Sequence, residues 1–412
     1  MTKICVIGLG YVGLPILLNL SSKYKCVGYD ISSNRIESLK KGSDIFKEFS
    51  KKELLKKSIL YSNNLNHAEN CNIFIITVPT PIYQNKKPDL SHLKDVCKKL
   101  SKKIKKKDIL IFESTVYPGI TNDFCIPIIE KFSNLKEGRD FFVGYSPERV
   151  NPGDKKHNLK KINKIFAYPY KFRKKEIVSI YTLICKKLII TEKIKEAEAA
   201  KVIENIQRDV NIGLINEIYL VCKKLNLDFK EVINLASTKW NFLKFKPGLV
   251  GGHCLPVDPY YFAHISKINN YKTKITLAGR QTNDLMEKNI LIEIKNILKA
   301  HDKKNNKRVL LCGLSYKENV SDHRNSLALN IFNKLKKIKK NISGYDPMIN
   351  DNLSNKLNLI KSKKEFSNFD IYIILIRHNI IKKKINKLSK NKLIFNILNN
   401  IWPEFIILRT HH

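Results

Sequence analysis

Apolar residues along this chain fall into short unbroken runs separated by stretches with a helical period. Residues 3–7, 26–30, 71–78, 108–113 and 141–145 are the first five runs. Between them, residues 89–103 and 121–132 place apolar side chains at the i, i+3, i+4 spacing of a helix that buries one face. Near-continuous apolar strands alternating with helices predict a parallel sheet covered on both sides. A helix over 174–185 and a strand over 187–190 close this first segment at residue 191. From Thr191, expected as a cap, a helical pattern without proline runs to about Leu225. A helix of ~30 residues spans ~45 Å, long enough to link domains and carry a subunit interface. Runs at 308–313, 341–346 and 370–376 then repeat the strand–turn–helix plan.

The turn after the first run reads Gly8-Leu9-Gly10-Tyr11-Val12-Gly13, and the second run ends in Asp30. Three glycines alone say little; strand, glycines, helix, strand and acid within ~30 residues form a dinucleotide-binding fingerprint. Gly8 turns the chain, Gly10 lets the backbone approach a pyrophosphate, and Gly13 packs helix on strand. The helix N-terminus supplies N–H groups to the phosphates. Asp30 would accept from a ribose 2′-OH and repel a 2′-phosphate, which favours NAD over NADP. A fold of this kind that binds no cofactor is the alternative. The turn after residue 312 reads Gly313-Leu314-Ser315-Tyr316-Lys317 and lacks the three glycines. It is expected to take a phosphorylated sugar nucleotide through Lys317 and Arg324. The predicted fold class is α/β, two Rossmann-like doubly wound domains joined by a long central helix, divided as 1–191, 192–300 and 301–412.

In such sheets ligands meet the carboxyl ends of the strands. Proline-rich turns there hold Thr80, Thr115 and Glu148, each placed to face a nicotinamide; a helix N-cap or a solvated acid is the plainer reading of each. Lys201 and Asn205, spaced i, i+4 on the long helix, share one face and could together hold an oxyanion. Two polar positions on a solvated face fit the same spacing. Cys254 follows Gly248, Gly251 and Gly252 and precedes Asp258 by four residues. A thiol held beside a carboxylate on a glycine-floored loop suits covalent chemistry at a carbonyl carbon. A small cysteine buried in a tight turn is the alternative.

The formal net charge is +39, from 76 Lys and Arg against 37 Asp and Glu. The lysines are scattered through every segment with no basic motif interleaved with aromatics, so nucleic acid is set aside as a partner. The positive field should still attract anionic small molecules. Nine cysteines without a C-x-x-C pair fit a reducing compartment with no disulfide framework and no structural zinc. No stretch reaches ~18 uninterrupted apolar residues, and the apolar run at 4–20 lacks a cleavage site, so a cytoplasmic protein with no membrane span is expected.

Seven motifs, in order, are GLGYVGLP at Gly8, VPTP at Pro79, ESTVYPG at Thr115, GYSPER at Glu148, AKVIENIQRDVNI at Ala200, GGHC…VDPYY around Cys254 and GLSYKENVSDHRNS at Gly313. With them the chain resembles, nearly end to end, the nucleotide-sugar 6-dehydrogenases, the UDP-glucose/GDP-mannose dehydrogenase family. The resemblance implies a homodimer that oxidises a sugar C6 alcohol to a uronate with two successive NAD⁺. Cys254 would carry thiohemiacetal and thioester intermediates, with Lys201 and Asn205 stabilising oxyanions. Asp258, Glu148 and Thr115 would manage protons and the hydrolytic water. The cofactor set it implies is Gly8, Gly10, Tyr11, Val12, Gly13, Asp30, Arg35, Thr80 and Thr115. The UDP-sugar set is Glu148, Arg149, Lys201, Asn205, Arg208, Phe245, Gly251, Tyr260, Arg280, Lys317 and Arg324; no metal is implied.

His253 before the cysteine, after the stretch 238–248, resembles the branch acting on UDP-N-acetylhexosamines for surface polysaccharides. Within it UDP-N-acetylglucosamine or UDP-N-acetylgalactosamine is expected. UDP-glucose, UDP-N-acetylmannosamine and GDP-mannose are the alternatives. Leu255-Pro256 stands where that branch often has Ile-Gly, and residues 393–402 lack an aspartate-glycine turn. A two-electron hydroxyacid dehydrogenase would leave Cys254 without a role.

Overall fold

The computed structural model describes residues 2–45, 48–149, 159–349, 351–389 and 391–397. The expectation for residues 393–402 therefore falls partly outside the described residues. The chain forms two compact units, one of residues 1–205 and 260–272, the other of residues 206–259 and 273–412. The segment 192–300 is thus shared between them.

The first unit carries β1 (Lys3–Ile7), β2 (Lys25–Tyr29), β3 (Ile59–Ser62), β4 (Ile73–Ile76), β5 (Ile109–Phe112), β6 (Phe142–Tyr145), β7 (Asn163–Ala167) and β8 (Lys187–Thr191). They form one sheet in the order β3-β2-β1-β4-β5-β6-β7-β8. All pairs are parallel except β6 and β7, which run antiparallel and meet at Tyr145↔Ala167. Alternate residues of one strand enter opposite cores. Ile4, Val6, Ile73, Ile75, Ile109 and Ile111 pack on one face, and Cys5, Ile7, Phe74, Ile76, Leu110 and Phe112 on the other. Burial on both faces is why these strands read as unbroken apolar runs.

The second unit repeats the plan with β9 (Val309–Cys312), β10 (Ile342–Tyr345), β11 (Ile371–Ile374) and β12 (Leu393–Asn396), all parallel in the order β10-β9-β11-β12. The predicted long helix is Ile194–Lys224, 31 residues. Its second-unit part crosses the helix Lys274–His301 at Gly213 and Gly279. A Cβ on Gly213 would lie 2.7 Å from the Gly279 carbonyl oxygen, so the two backbones approach as only glycine permits.

Candidate active site

The first turn is built as a cradle. Gly8 has φ +91°, and a Cβ on Gly13 would sit 1.9 Å from the Gly8 carbonyl oxygen. Gly10 is different: a Cβ there would meet nothing within 4 Å. An exposed glycine with open space above it suits the approach of a phosphate group, and the helix Gly13–Leu20 starts directly behind it. Thr77 holds the turn from below, its Oγ1 donating to the carbonyls of Ile7 at 2.9 Å and Gly8 at 2.6 Å. Leu9 is gripped on both sides: its N–H donates to Asp30 Oδ2 at 2.8 Å, and its carbonyl accepts from Arg35 Nε at 2.9 Å. Arg35 is buried and pairs with Asp44, so it braces the loop from behind. Tyr11 and Val12 are half-buried at the helix start. These residues fit an NAD pyrophosphate and ribose.

At the strand exits, Thr80 Oγ1 donates to the Thr115 carbonyl at 2.6 Å and Ser114 Oγ to the Val78 carbonyl at 2.7 Å, which ties the loops after β4 and β5. Glu198 on the long helix accepts from Gly119 N at 2.6 Å and Thr121 N at 2.9 Å. Lys201 and Asn205, further along the same helix, are buried, so the solvated-face alternative is set aside. Glu148 is buried too, which removes the solvated-acid alternative there. It accepts from Arg149 N at 2.6 Å and lies 3.7 Å from Lys164 Nζ. Arg149 pairs with Glu204, and Lys86 sits 5.2 Å above the Tyr260 ring.

In the second unit the Cys254 loop is fastened at both ends. Asn216 pairs with one peptide group: Gly248 N donates to its Oδ1 at 2.8 Å and its Nδ2 donates to the Gly248 carbonyl at 3.1 Å. Asn216 Nδ2 also reaches Asn283 Oδ1 at 2.7 Å, and Asn283 donates to the Asp209 carbonyl and carboxylate. Asp209 takes Arg280, whose Nη1 approaches the Leu255 carbonyl at 3.5 Å. All four side chains are fully buried between the two long helices. Arg280 is therefore engaged with Asp209, and with Asp284 at 3.3 Å, inside this chain of polar groups.

The Cys254 carbonyl accepts from Val257 N and Asp258 N at 3.0 and 2.9 Å, so buried Asp258 follows the thiol by one tight turn. Gly251 and Gly252 lie against Tyr316 and Asn325, where a Cβ on Gly251 would fall 2.6 Å from the Asn325 carbonyl oxygen. Cys254 is half-buried, while the other eight cysteines are buried. Burial pushes the Cys26 and Cys71 thiols up to about 12 and about 11, and lifts Cys5 and Cys312 as well. Thiols so placed are not thiolates near neutrality. The tight-turn alternative holds for the turn and fails for the burial.

Of the remaining expected residues, Lys317 is half-buried and Arg324 is exposed, with its guanidinium doubly bonded to Asp322 at 3.0 and 2.7 Å. Burial opposes the Asp322 charge, but the bonds from Arg324 and nearby His253 hold its carboxyl below the usual range. Phe245 packs on Ile215, Cys222 and Phe229, and Arg208 is exposed. Sequence reasoning missed Thr77, Glu113, Lys164, Glu198, Asn216 and Asn283. The one available signal was Asn216 and Asn283 one turn after Gly213 and Gly279, polar residues on the same helix faces as the glycines. Among the described residues, no group of three or more His, Cys, Asp or Glu could hold a metal ion.

The UDP-glucose/GDP-mannose dehydrogenase family matches in three parts: its NAD binding domain over residues 2–184, its central domain over 195–285 and its UDP binding domain over 310–403. A UDP-N-acetyl-D-glucosamine 6-dehydrogenase of Pseudomonas aeruginosa is 44% identical over 84% of this chain and 83% of its own. One from Salmonella typhi is 39% identical over 97% and 96%. The solved UDP-D-ManNAc dehydrogenase of Pyrococcus horikoshii superposes with a TM-score of 0.85 at 29% identity, covering 98% of this chain and 97% of that one.

Proposed function

The chain belongs to the UDP-glucose/GDP-mannose dehydrogenase family, NAD-dependent nucleotide-sugar dehydrogenases, and from that premise we propose that it oxidises the C6 hydroxyl of UDP-N-acetylglucosamine to the uronate. The relatives at 44% and 39% identity, both acting on that sugar by name, favour it over the mannosamine epimer named for the solved structure. The observation that carries the mechanism is the half-buried thiol of Cys254 on a loop fastened at Gly248 and Leu255.

Gly8, Gly10, Gly13 and Asp30 would hold NAD, which would supply a hydride acceptor for each of the two oxidations. Cys254 Sγ adds to the C6 aldehyde, forming a C–S bond and a thiohemiacetal. Loss of a hydride and a proton from that adduct leaves a thioester. Water then attacks the thioester carbon, the C–S bond breaks, and the carboxylate departs with the thiol restored. Lys201 and Asn205 stabilise the oxyanions of addition and hydrolysis. Asp258 takes the proton at Cys254, and Glu148 with Thr115 serves the hydrolytic water. Lys317 and Arg324 hold the diphosphate. The same reading makes the chain a cytoplasmic homodimer in surface-polysaccharide synthesis. Exposed Leu214 and Val221 on the long helix support the dimer.

A substrate panel read by NADH absorbance tests this, with UDP-N-acetylglucosamine, UDP-N-acetylgalactosamine, UDP-N-acetylmannosamine, UDP-glucose and GDP-mannose. Two NADH per UDP-N-acetylglucosamine, with uronate as product, is the expected result; no turnover of any UDP-N-acetylhexosamine sinks the reading. Cys254→Ser should bind NAD normally and lose at least ~100-fold in kcat, the scale of losing a covalent nucleophile.

A further inference from the structure

We propose that Lys164 is a positioning residue that fixes the carboxylate of Glu148 and locks the exits of β5 and β6 together. The inference deepens the reading of Glu148 given above and rests on it.

The topology explains why a lysine of β7 reaches this place. β7 runs antiparallel to β6, and their pairing at Tyr145↔Ala167, continued three residues, sets Lys164 opposite Glu148. Ser146 Oγ donating to the Ile165 carbonyl at 2.7 Å agrees with that register. A parallel strand would bring only its C-terminal residues to the ligand-facing edge of the sheet. The reversed strand brings its start instead. The one antiparallel seam of the sheet thus delivers a cation to the loops that carry Thr115 and Glu148.

Lys164 is fully buried, and its ammonium is shared three ways. It donates to Glu113 Oε2 at 2.6 Å and to the Pro147 carbonyl at 3.1 Å, and lies 3.7 Å from Glu148 Oε2. Tyr181 OH closes the group, donating to Glu113 Oε1 at 2.7 Å. Glu113 and Lys164 are both fully buried, so either alone would be an uncompensated and strongly destabilising charge. Together they leave Glu148 beside a cation that already has a permanent partner.

Cys185 lies in the field of Lys164 and Glu113, Tyr181 in that of Glu113 and Glu148, and Arg149 beside Glu148 is held by Glu204. Burial opposes the Lys164 charge, but Glu113 and Glu148 keep it an ammonium; burial lifts the Glu113 carboxyl above its usual range.

The test is the measurement of kcat and KM for wild type, Glu148→Gln, Tyr181→Phe and the double variant Lys164→Met with Glu113→Gln. The double variant removes both buried charges at once and so is expected to fold where Lys164→Met alone would not. Its kcat should fall ~10-fold or more with KM for the UDP-sugar within ~3-fold, a split that general destabilisation does not produce. Tyr181→Phe keeps every formal charge and loosens only Glu113, so its kcat should stay closer to wild type than that of the double variant. A wild-type kcat in the double variant, with Glu148→Gln crippled, overturns the role of Lys164 and leaves that of Glu148 standing. A wild-type rate in Glu148→Gln overturns both.

Discussion

After β1 the backbone leaves the first sheet through Gly8 at φ +91°, and after β9 it leaves the second through Gly313 at φ +81°. In each unit the next amide donates to an aspartate that closes the neighbouring strand: Leu9 N to Asp30 Oδ2 at 2.8 Å, Leu314 N to Asp346 Oδ2 at 2.6 Å. There the two turns part. Asp30 is half-exposed, and its other bond is from Ser32 N at 2.9 Å. Asp346 is buried and also takes Ser315 N, Met348 N and His378 Nε2. The His378 ring is fixed in turn, since its Nδ1 accepts from Asn319 N at 2.8 Å, which puts the ring proton on Nε2. One acid at one topological position is half-exposed in the first turn and an internal strut in the second. The helix starts at once after Gly13 in the first unit, but only at Leu327 in the second, and the intervening loop carries Lys317 and Arg324. A dinucleotide needs the open version; the second turn is built to hold a loop.

The largest expected effect separates the glycines. A Cβ on Gly313 would lie 2.0 Å from the Ile376 carbonyl oxygen, and the left-handed φ adds strain. Gly313→Ala should destabilise the second unit by about 3 kcal/mol or more, read by urea unfolding. Near wild-type stability would show that the turn can yield, and the comparison would lose its steric basis.

Next is Asp346→Asn. Burial opposes its charge, yet the bonds from His378, Met348 and Ser315 hold the carboxyl below the usual range. A carboxyl depressed on folding stabilises above its unfolded value near ~4 and loses that contribution as pH falls through the lower folded value. The variant should therefore cost about 2–3 kcal/mol at neutral pH and nearly match wild type in strong acid. A constant difference across that window would break the assignment. Asp30→Asn, by contrast, should leave unfolding within ~0.5 kcal/mol of wild type.

Much of this was legible in the pattern of apolar residues, because strands buried on both faces are apolar throughout. β1, β2, β4, β5, β6, β9, β10 and β11 all fall in such runs. β3 and β7 do not: Leu60 of β3 is exposed at the sheet edge, and β7 carries a fully buried lysine that reads as a solvent-facing position. The antiparallel seam was hidden for the same reason. Cys254, Asp258, Lys201 and Asn205 stand out as candidates because glycines, prolines and the i, i+4 spacing mark them. The groups that fasten the neighbouring loops do not: Asn216, Asn283 and Asp209 behind the Cys254 loop, and Glu198 behind residues 119–121. Asn216, Asn283, Asp209 and Glu198 sit singly in long helices, where a polar side chain reads as solvated unless a second helix is known to cover it. Arg280 adds a partner the pattern did not show: its guanidinium is buried against Asp209.

Gly10→Ala is the smallest change in stability and the sharpest test of what the first turn is for. A methyl there meets no atom of the protein within 4 Å, in contrast to 1.9 Å at Gly13. Its backbone φ is not among the left-handed ones, so alanine adds no strain of that kind. Folding should therefore move by less than ~1 kcal/mol. The space above Gly10 matters only if something occupies it, and a pyrophosphate in van der Waals contact with the backbone would be displaced by the methyl. NAD affinity should drop at least ~10-fold, a loss of about 1.4 kcal/mol in binding that folding does not share. Titration of NAD by intrinsic fluorescence, beside a thermal melt of the same sample, separates the two quantities. Unchanged NAD affinity would mean the cradle holds its ligand elsewhere, and the contrast between an open first turn and a closed second one would lose its functional meaning.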